Sequence, residues 1–416
     1  MYFNPETLYG MWFIILFLLF LLLTGIYTFK AFRQSLSARK KNLAWIYLIS
    51  AVILFSGFVI MWQRQASNYG NVSIMVNILI SLMIVVFLST LFSTAFFVID
   101  DVRRIFQWIF VSLRRKRIAP YPIRSRTAGI SAVSLNSIVL ALVLYGTLFG
   151  FTHFKVHRVP FEHQSIPEAF DGFKIVQISD LHLGTFGSVR QLDKGLKMIT
   201  ELNPDLIVFT GDLVNNLSVE AVPFINSLKK IEAPYGKFAI MGNHDYATYA
   251  GSLSKKEISE DIQNLKNILS QMGFTMLDNS NQVIKLQTDS IVLAGVENWG
   301  IAPFPQYGNL NQALAGISES FIIMLSHDPS HWSEQIVDFP LSIELTLSGH
   351  THGMQMGIET KNFKWSPVQY RYKNWAGLYQ QGDKYLYVNR GFGGIGFPGR
   401  IGIRPEITLI ELKSRH

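Results

Sequence analysis

Four apolar stretches dominate the first third of the chain. They run approximately from Tyr9 to Phe29, Leu43 to Trp62, Ser73 to Val98 and Gly129 to Phe151, and none has a charged residue in its interior. Each reaches the roughly 20 residues needed to cross a bilayer. Four such lengths in series predict membrane spans rather than buried core helices. The first does not read as a cleaved signal: Glu6 is the only side-chain charge before it, and no clear small-residue cleavage site follows. Around His153–Pro167 the pattern turns polar, and Pro160 and Pro167 mark a linker. Strand-like and helix-like patterns then alternate. Phe173–Ile178, Leu206–Thr210, Lys237–Met241, Ser290–Ala294, Phe321–Leu325 and Ile343–Leu347 read as short buried strands, and Val189–Leu202 and Lys255–Met272 as helices. The expected organisation is a transmembrane region over residues 1–152, a linker over 153–169 and an α/β domain over 170–416.

Composition sharpens the division. The chain is 49% hydrophobic with only 16% charged residues, which points to a membrane component. Residues 1–150 hold 14 Lys and Arg against 3 Asp and Glu, so the remainder of the totals of 37 and 29 leaves 23 basic against 26 acidic residues. The basic excess therefore belongs to the membrane half, and the second half has no overall charge signature of a nucleic-acid binder. With no cysteine, a disulfide framework, a thiolate metal site and a cysteine nucleophile are excluded.

The loops between the apolar stretches set an orientation. Lys30, Arg33, Arg39, Lys40 and Lys41 follow the first, Arg64 stands alone after the second, and eight arginines and lysines from Arg103 to Arg126 follow the third. Excess Lys and Arg marks the cytoplasmic side, so both termini and the C-terminal domain are expected outside the cytoplasm. Ile105–Leu113, apolar and aromatic between arginine clusters, reads either as an interfacial segment or as a connector packed on the bundle.

The candidate chemistry lies in five loops, each just after an apolar strand. They read Ser179-Asp180-Leu181-His182, Thr210-Gly211-Asp212, Gly242-Asn243-His244-Asp245, Ser326-His327-Asp328 and Ser348-Gly349-His350-Thr351-His352-Gly353. The C-terminal ends of strands are where α/β sheets present ligands. Six of the ten histidines, His182, His244, His327, His331, His350 and His352, fall in or beside these loops. Asp, His and Asn suit divalent ions such as Mn, Fe and Zn, and two ions a few ångströms apart can activate water and clamp a phosphoryl group. Asp180 and His182 are two residues apart, so an extended segment would point both to one side. His331 reads as structural or substrate-facing. Ser326, His327 and Asp328 are sequence neighbours without a nucleophile elbow and do not suggest a serine triad.

The ordered set Asp-Leu-His, Gly-Asp, Gly-Asn-His-Asp, His and Gly-His-Thr-His resembles the calcineurin-like metallophosphoesterase family, and within it the membrane-associated bacterial branch that includes YkuE and YaeI. The resemblance covers about residues 170–412, including Asn389-Arg390-Gly391 and Arg404-Pro405-Glu406-Ile407. It implies two β-sheets flanked by helices, here preceded by a four-helix transmembrane region. It also implies two divalent metal ions, with Asp180, His182 and His352 on one, Asn243, His327 and His350 on the other, and Asp212 bridging. Water activated between them would attack phosphorus in line, with His244 protonating the leaving oxygen and Asp245 orienting His244. Two carboxylates against two divalent ions leave a positive surplus that draws a phosphate ester. One departure is Met354, where the family commonly has a second glycine after Gly-His-Thr-His-Gly; it bears on local shape or substrate fit rather than on metal binding.

For substrate the expectation is a phosphodiester or phosphomonoester of a lipid or cell-envelope component, with membrane lipids as neighbours and no nucleic-acid partner. Alternatives are a pyrophosphatase-type hydrolase of a nucleotide-linked lipid precursor and a non-catalytic membrane receptor on the same fold. Two aromatic segments, Asn298–Leu310 and Lys364–Tyr379, are read as a substrate cap, a membrane-dipping surface or ordinary loop packing. Arg390 reads equally as a phosphate contact or a structural arginine.

Overall fold

Short, mostly apolar strands buried on both faces build two stacked sheets in the C-terminal part of the chain. In the computed structural model, residues 5–35, 74–251, 253–318 and 320–415 are described, with isolated positions between 45 and 57. Two compact units result, a helical one that ends at Tyr145 and an α/β one from Gly146 onward.

The helical unit contains α1 (Pro5–Ser35) and most of α2 (Ile74–Arg115) and of α3 (Arg126–Leu148). Among the described residues, Ile78–Arg115 and Arg126–Thr152 are long and apolar enough to cross a membrane. The second predicted span, Leu43–Trp62, lies largely outside the described residues. The basic region after the third span was expected as a loop, yet α2 runs through it to Arg115. Asp100 pairs with Arg103 and Asp101 with Arg104 one turn on, contacts that favour continued helix. Ile105–Leu113 is therefore helix, and Trp108 donates its indole N–H to the Ala119 carbonyl of the returning chain.

The α/β unit has strands β1 (Lys155–His163), β2 (Lys174–Ile178), β3 (Leu206–Phe209), β4 (Lys237–Ala239), β5 (Thr275–Met276), β6 (Ser280–Leu286), β7 (Asp289–Gly295), β8 (Ile322–Leu325), β9 (Leu345–Ser348), β10 (Ile358–Glu359), β11 (Lys364–Trp365), β12 (Gly377–Gln381), β13 (Lys384–Val388) and β14 (Glu406–Ser414). One six-stranded sheet has the order β1-β14-β2-β3-β4-β5 and the other β12-β13-β9-β8-β7-β6, with β10 and β11 forming a separate pair. Ile175, Leu206 and Val208 of the first sheet pack against Leu293, Ile323, Leu325 and Leu347 of the second. The opposite face of the first sheet, with Val176, Ile207 and Phe209, is covered by α4 (Val189–Glu201) and α6 (Lys255–Gln271), α5 being the short Ile225–Lys229. Helical segments around Leu310 and Trp332 cover the outer face of the second sheet through Val292, Ala294 and Met324. Two sheets between helical layers are the expected sandwich.

Strands β2, β3 and β4 are mutually parallel, as are β7, β8, β9 and β13, so their C-terminal ends gather along one edge of each sheet. Buried Gln177 at the end of β2 ties those edges together, donating to Thr210 Oγ1 at 3.1 Å and to the Ser348 carbonyl at 2.9 Å. The stretch His153–Pro167, expected as a linker, contains β1. It is an edge strand paired in parallel with β14 over nine residues, and an edge position tolerates Pro160, which has no N–H to donate.

Candidate metal centre

The strand-end loops bring the predicted residues together. Asp180, His182 and His352 form one group and Asp212, His327 and His350 another, with the potential ligand atoms of each within 4.8 Å of one another. Asp180 Oδ1 lies 3.2 Å from His352 Nε2, although 172 positions separate them in sequence. The two groups meet at one carboxylate: Asp212 Oδ2 is 3.5 Å from His182 Nε2 and 3.2 Å from His327 Nε2. Asn243 Oδ1 lies 2.8 Å from His350 Nδ1, beside the second group.

The route to this convergence differs from the sequence expectation. Asp180 and His182 do not lie on an extended segment; they have φ of 52° and 45°. Asp212, His350 and His352, with φ of 62°, 70° and 51°, are also left-handed. Such residues cost of order 1–3 kcal/mol each when held in sparsely populated backbone regions, and they concentrate at functional sites. Met354 also has a left-handed backbone, φ 51°, which accounts for the glycine common at that position in the resembled family.

The surrounding backbone holds the strain. The His350 N–H donates to both oxygens of Asp180 at 3.0 Å, linking the first loop to the last. Asp245 Oδ2 accepts from Asp212 N and Gly242 N, and its Oδ1 from Leu213 N and Val214 N. Asp245 was expected to orient His244; instead His244 Nδ1 lies 2.7 Å from the Asn215 carbonyl, and Asp245 ties the Asp212 and Asn243 loops together. Buried Glu220 steadies Asn215 in turn, accepting from the backbone amides of Asn215, Asn216 and Leu217.

The donor set fits cations. His182 Nδ1 faces the Val214 carbonyl and His327 Nδ1 the Thr210 carbonyl, so each ring must carry its proton there and turn a bare Nε2 inward. His327 Nε2 is buried without a hydrogen-bond partner, and His182 Nε2 stands 3.0 Å from His352 Nε2. Two imidazole nitrogens facing each other beside an orphaned third are satisfied by a cation. The electrostatics agree. Burial opposes ionisation of Asp180 and Asp212, but the neighbouring histidines hold both carboxyls well below their ordinary range. Burial also opposes a second proton on His327, yet Asp212 and Asp180 push that ring up to about 10, so Nε2 stays bare only where a cation takes the place of that proton. The cluster therefore demands positive charge, and the residues present fit two divalent ions.

Comparison with known proteins agrees with this geometry. The family described as calcineurin-like phosphoesterase matches residues 173–354, and a second, described as probable calcineurin-like phosphoesterase, transmembrane domain, matches residues 10–151. The metallophosphoesterase YkuE of Bacillus subtilis is 35% identical over 254 residues, spanning 60% of this chain and 82% of that protein. The chain belongs to the calcineurin-like metallophosphoesterases. This phosphoesterase is a membrane protein and a metal-dependent phosphoric ester hydrolase, which sets aside the receptor alternative. A zebrafish (Danio rerio) transmembrane protein with a metallophosphoesterase domain is 31% identical, covering 74% of this chain and 70% of its own. A UDP-2,3-diacylglucosamine pyrophosphatase, LpxG of Chlamydia muridarum, is 30% identical, covering 64% and 92%.

Other residues of the phosphoesterase fall into place around the centre. Arg390 is buried and paired with Glu406 and Glu359, both at 2.6 Å, so it is structural rather than a phosphate contact. His331 is buried too, with Nδ1 at 2.9 Å from Ser326 Oγ and Nε2 at 3.2 Å from Gln335 Oε1. Sequence reasoning missed Arg400, a buried arginine that donates to the carbonyls of His352, Arg390, Gly391 and Gly393. It also assigned nothing to Asp328 and treated Tyr372 only as part of an aromatic segment. Tyr249 was likewise overlooked; its ring stacks on His244 at 4.3 Å and its hydroxyl accepts from Asn243 Nδ2 at 3.1 Å, which turns Asn243 Oδ1 toward His350.

Proposed function

We propose that this hydrolase works through two divalent ions of the Mn, Fe or Zn type and cleaves a phosphodiester or phosphomonoester of a lipid or cell-envelope component. The observation that carries the reading is Asp212, whose Oδ2 stands within reach of histidines from both groups. Asp180, His182 and His352 would hold one ion, Asn243, His327 and His350 the other, with Asp212 shared. Ions bound there would lower the pKa of a water and polarise the phosphoryl oxygens. Asp180 is kept in place by the His350 amide, and Asp212 by the amide of His244, which donates to Oδ1 at 2.8 Å. His244, half-buried with Nδ1 anchored on the Asn215 carbonyl, has Nε2 free to protonate a leaving oxygen.

The lipid assignment is supported by the membrane family match and by the basic segments that flank the spans. With those segments on the cytoplasmic side, the chain crosses the membrane several times and the catalytic domain lies outside the cytoplasm. A pyrophosphatase acting on a nucleotide-linked lipid is the second reading, supported by the similarity to LpxG, but an outward-facing domain fits it less well. The purified full-length protein should hydrolyse a chromogenic bis-phosphodiester, lose that activity to chelator and regain it with Mn²⁺. Asp212→Asn should abolish most turnover and weaken metal retention while the fold persists. Undiminished turnover in that variant, or in chelator, would end the reading.

A further inference from the structure

The histidines of the centre differ in what holds the ring nitrogen that faces away from it. For His182 and His327 that partner is a neutral backbone carbonyl. For His350 it is a phenol and a carboxylate. Nε2 lies 2.7 Å from the Tyr372 hydroxyl and 3.4 Å from Asp328 Oδ2, and the Tyr372 hydroxyl donates to that same Oδ2 at 3.3 Å. Asp328 is fully buried, with Oδ1 accepting the Ser330 N–H at 2.8 Å. Room for its carboxylate depends on Gly300, where an added Cβ would lie 2.5 Å from Oδ2. Phe304 meets the His350 ring edge-on at 4.6 Å, and Arg371 Nη2 donates to the Ala302 carbonyl, so both aromatic segments close on this one imidazole.

We propose that Tyr372 and Asp328 are positioning residues for the ion assigned to Asn243, His327, His350 and Asp212, and that they set its affinity separately from that of its neighbour. With Tyr372 donating its only proton to Asp328, its oxygen can only accept from His350. That fixes the tautomer with hydrogen on Nε2 and a lone pair on Nδ1, the atom facing Asn243 Oδ1. The carboxylate beyond makes Nδ1 a stronger donor, as outer carboxylates do for metal-binding histidines. Charge balance gives the pair a purpose. The group with Asp180 has a carboxylate of its own besides shared Asp212, whereas the other has only the shared one, and Asp328 supplies the missing negative charge at one remove.

This rests on the two-ion reading above, and the experiment separates the two. Full-length wild type, Tyr372→Phe and Asp328→Asn are titrated with Mn²⁺ by calorimetry and with Co²⁺ by visible absorption, and thermal unfolding is recorded without metal. Wild type is expected to bind two ions. Tyr372→Phe should weaken one of them about 10- to 100-fold, the usual effect of losing an outer partner, and leave the other unchanged. Asp328→Asn should weaken the same ion and alter the same cobalt band. Two wild-type-like affinities in both variants, or equal weakening of both ions alongside a lower unfolding temperature, would reduce the pair to a loop fastener and overturn the proposal. Wild type holding fewer than two ions would instead overturn the two-ion reading itself.

Discussion

Gly349 connects β9 to His350, and its exchange for alanine tests whether the first and last loops are locked together. A Cβ there would press against Ser179 Oγ and Asp180 Oδ2 inside van der Waals contact, with Ser179 Cβ at 2.9 Å. Overpacking of this kind costs about 1–3 kcal/mol. The Asp180 carboxylate can relieve it only by moving off the His350 amide, a bond to a charged group worth about 1.5–3 kcal/mol. Together the loss is about 2.5–6 kcal/mol, or roughly 5–24 °C in unfolding temperature for a unit of this size. Gly172→Ala is the control: its φ is +80° but nothing lies within 4 Å of the added Cβ, so only backbone strain of about 1 kcal/mol is incurred. Thermal unfolding in detergent, with metal content after gel filtration, measures both variants. If Gly349→Ala unfolds no earlier than Gly172→Ala and keeps its metal, the Asp180 loop does not depend on this contact.

His244→Ala should lower turnover about 10²- to 10⁴-fold, the range for a lost general acid, with both ions retained by metal analysis; loss of an ion would make His244 a ligand. Asp245→Asn should lower the unfolding temperature and metal retention together, since an amide nitrogen would face two of the four N–H groups now served, at about 1–3 kcal/mol. Turnover lost at unchanged stability would return Asp245 to the chemistry. Burial holds the His331 ring down to about 4, so the folded state takes up its proton later than the unfolded state. Its contribution is complete above the ordinary value near 6.5 and falls away as pH drops toward 4, by about 3 kcal/mol in all. His331→Phe, which can keep the stack on Trp299, should show a flatter decline of unfolding temperature between pH 7 and 4 than wild type, and an equal slope would contradict this.

Much of the centre was legible because its ligands sit two to four residues beyond buried strands, where an apolar run gives way abruptly to Asp, Asn or His. Periodicity located β2, β3, β8 and β9 to within two residues and α4 and α6 to within one. It could not supply backbone hand: alternation suggested an extended Asp180–His182 segment, but only the packing of other loops imposes the left-handed turns found there. Pro160 hid β1, because proline argues against a strand until the strand is known to be an edge. Asp328 and Tyr372 left no local signal, since their meaning lies in a contact made 44 positions apart. Asp245 misled for a related reason: adjacency to His244 suggested a partnership that the fold gives to a distant carbonyl.

The nine-residue parallel ladder between β1 and β14 has a mechanical meaning. The strand through which the membrane tether enters the catalytic domain is stitched to the last strand of the chain, so the domain is fastened shut like a belt at its own buckle. A pull on that tether would load the whole row of hydrogen bonds along its length, in shear. Trimming the final strand would undo the fastening at the point where the load arrives.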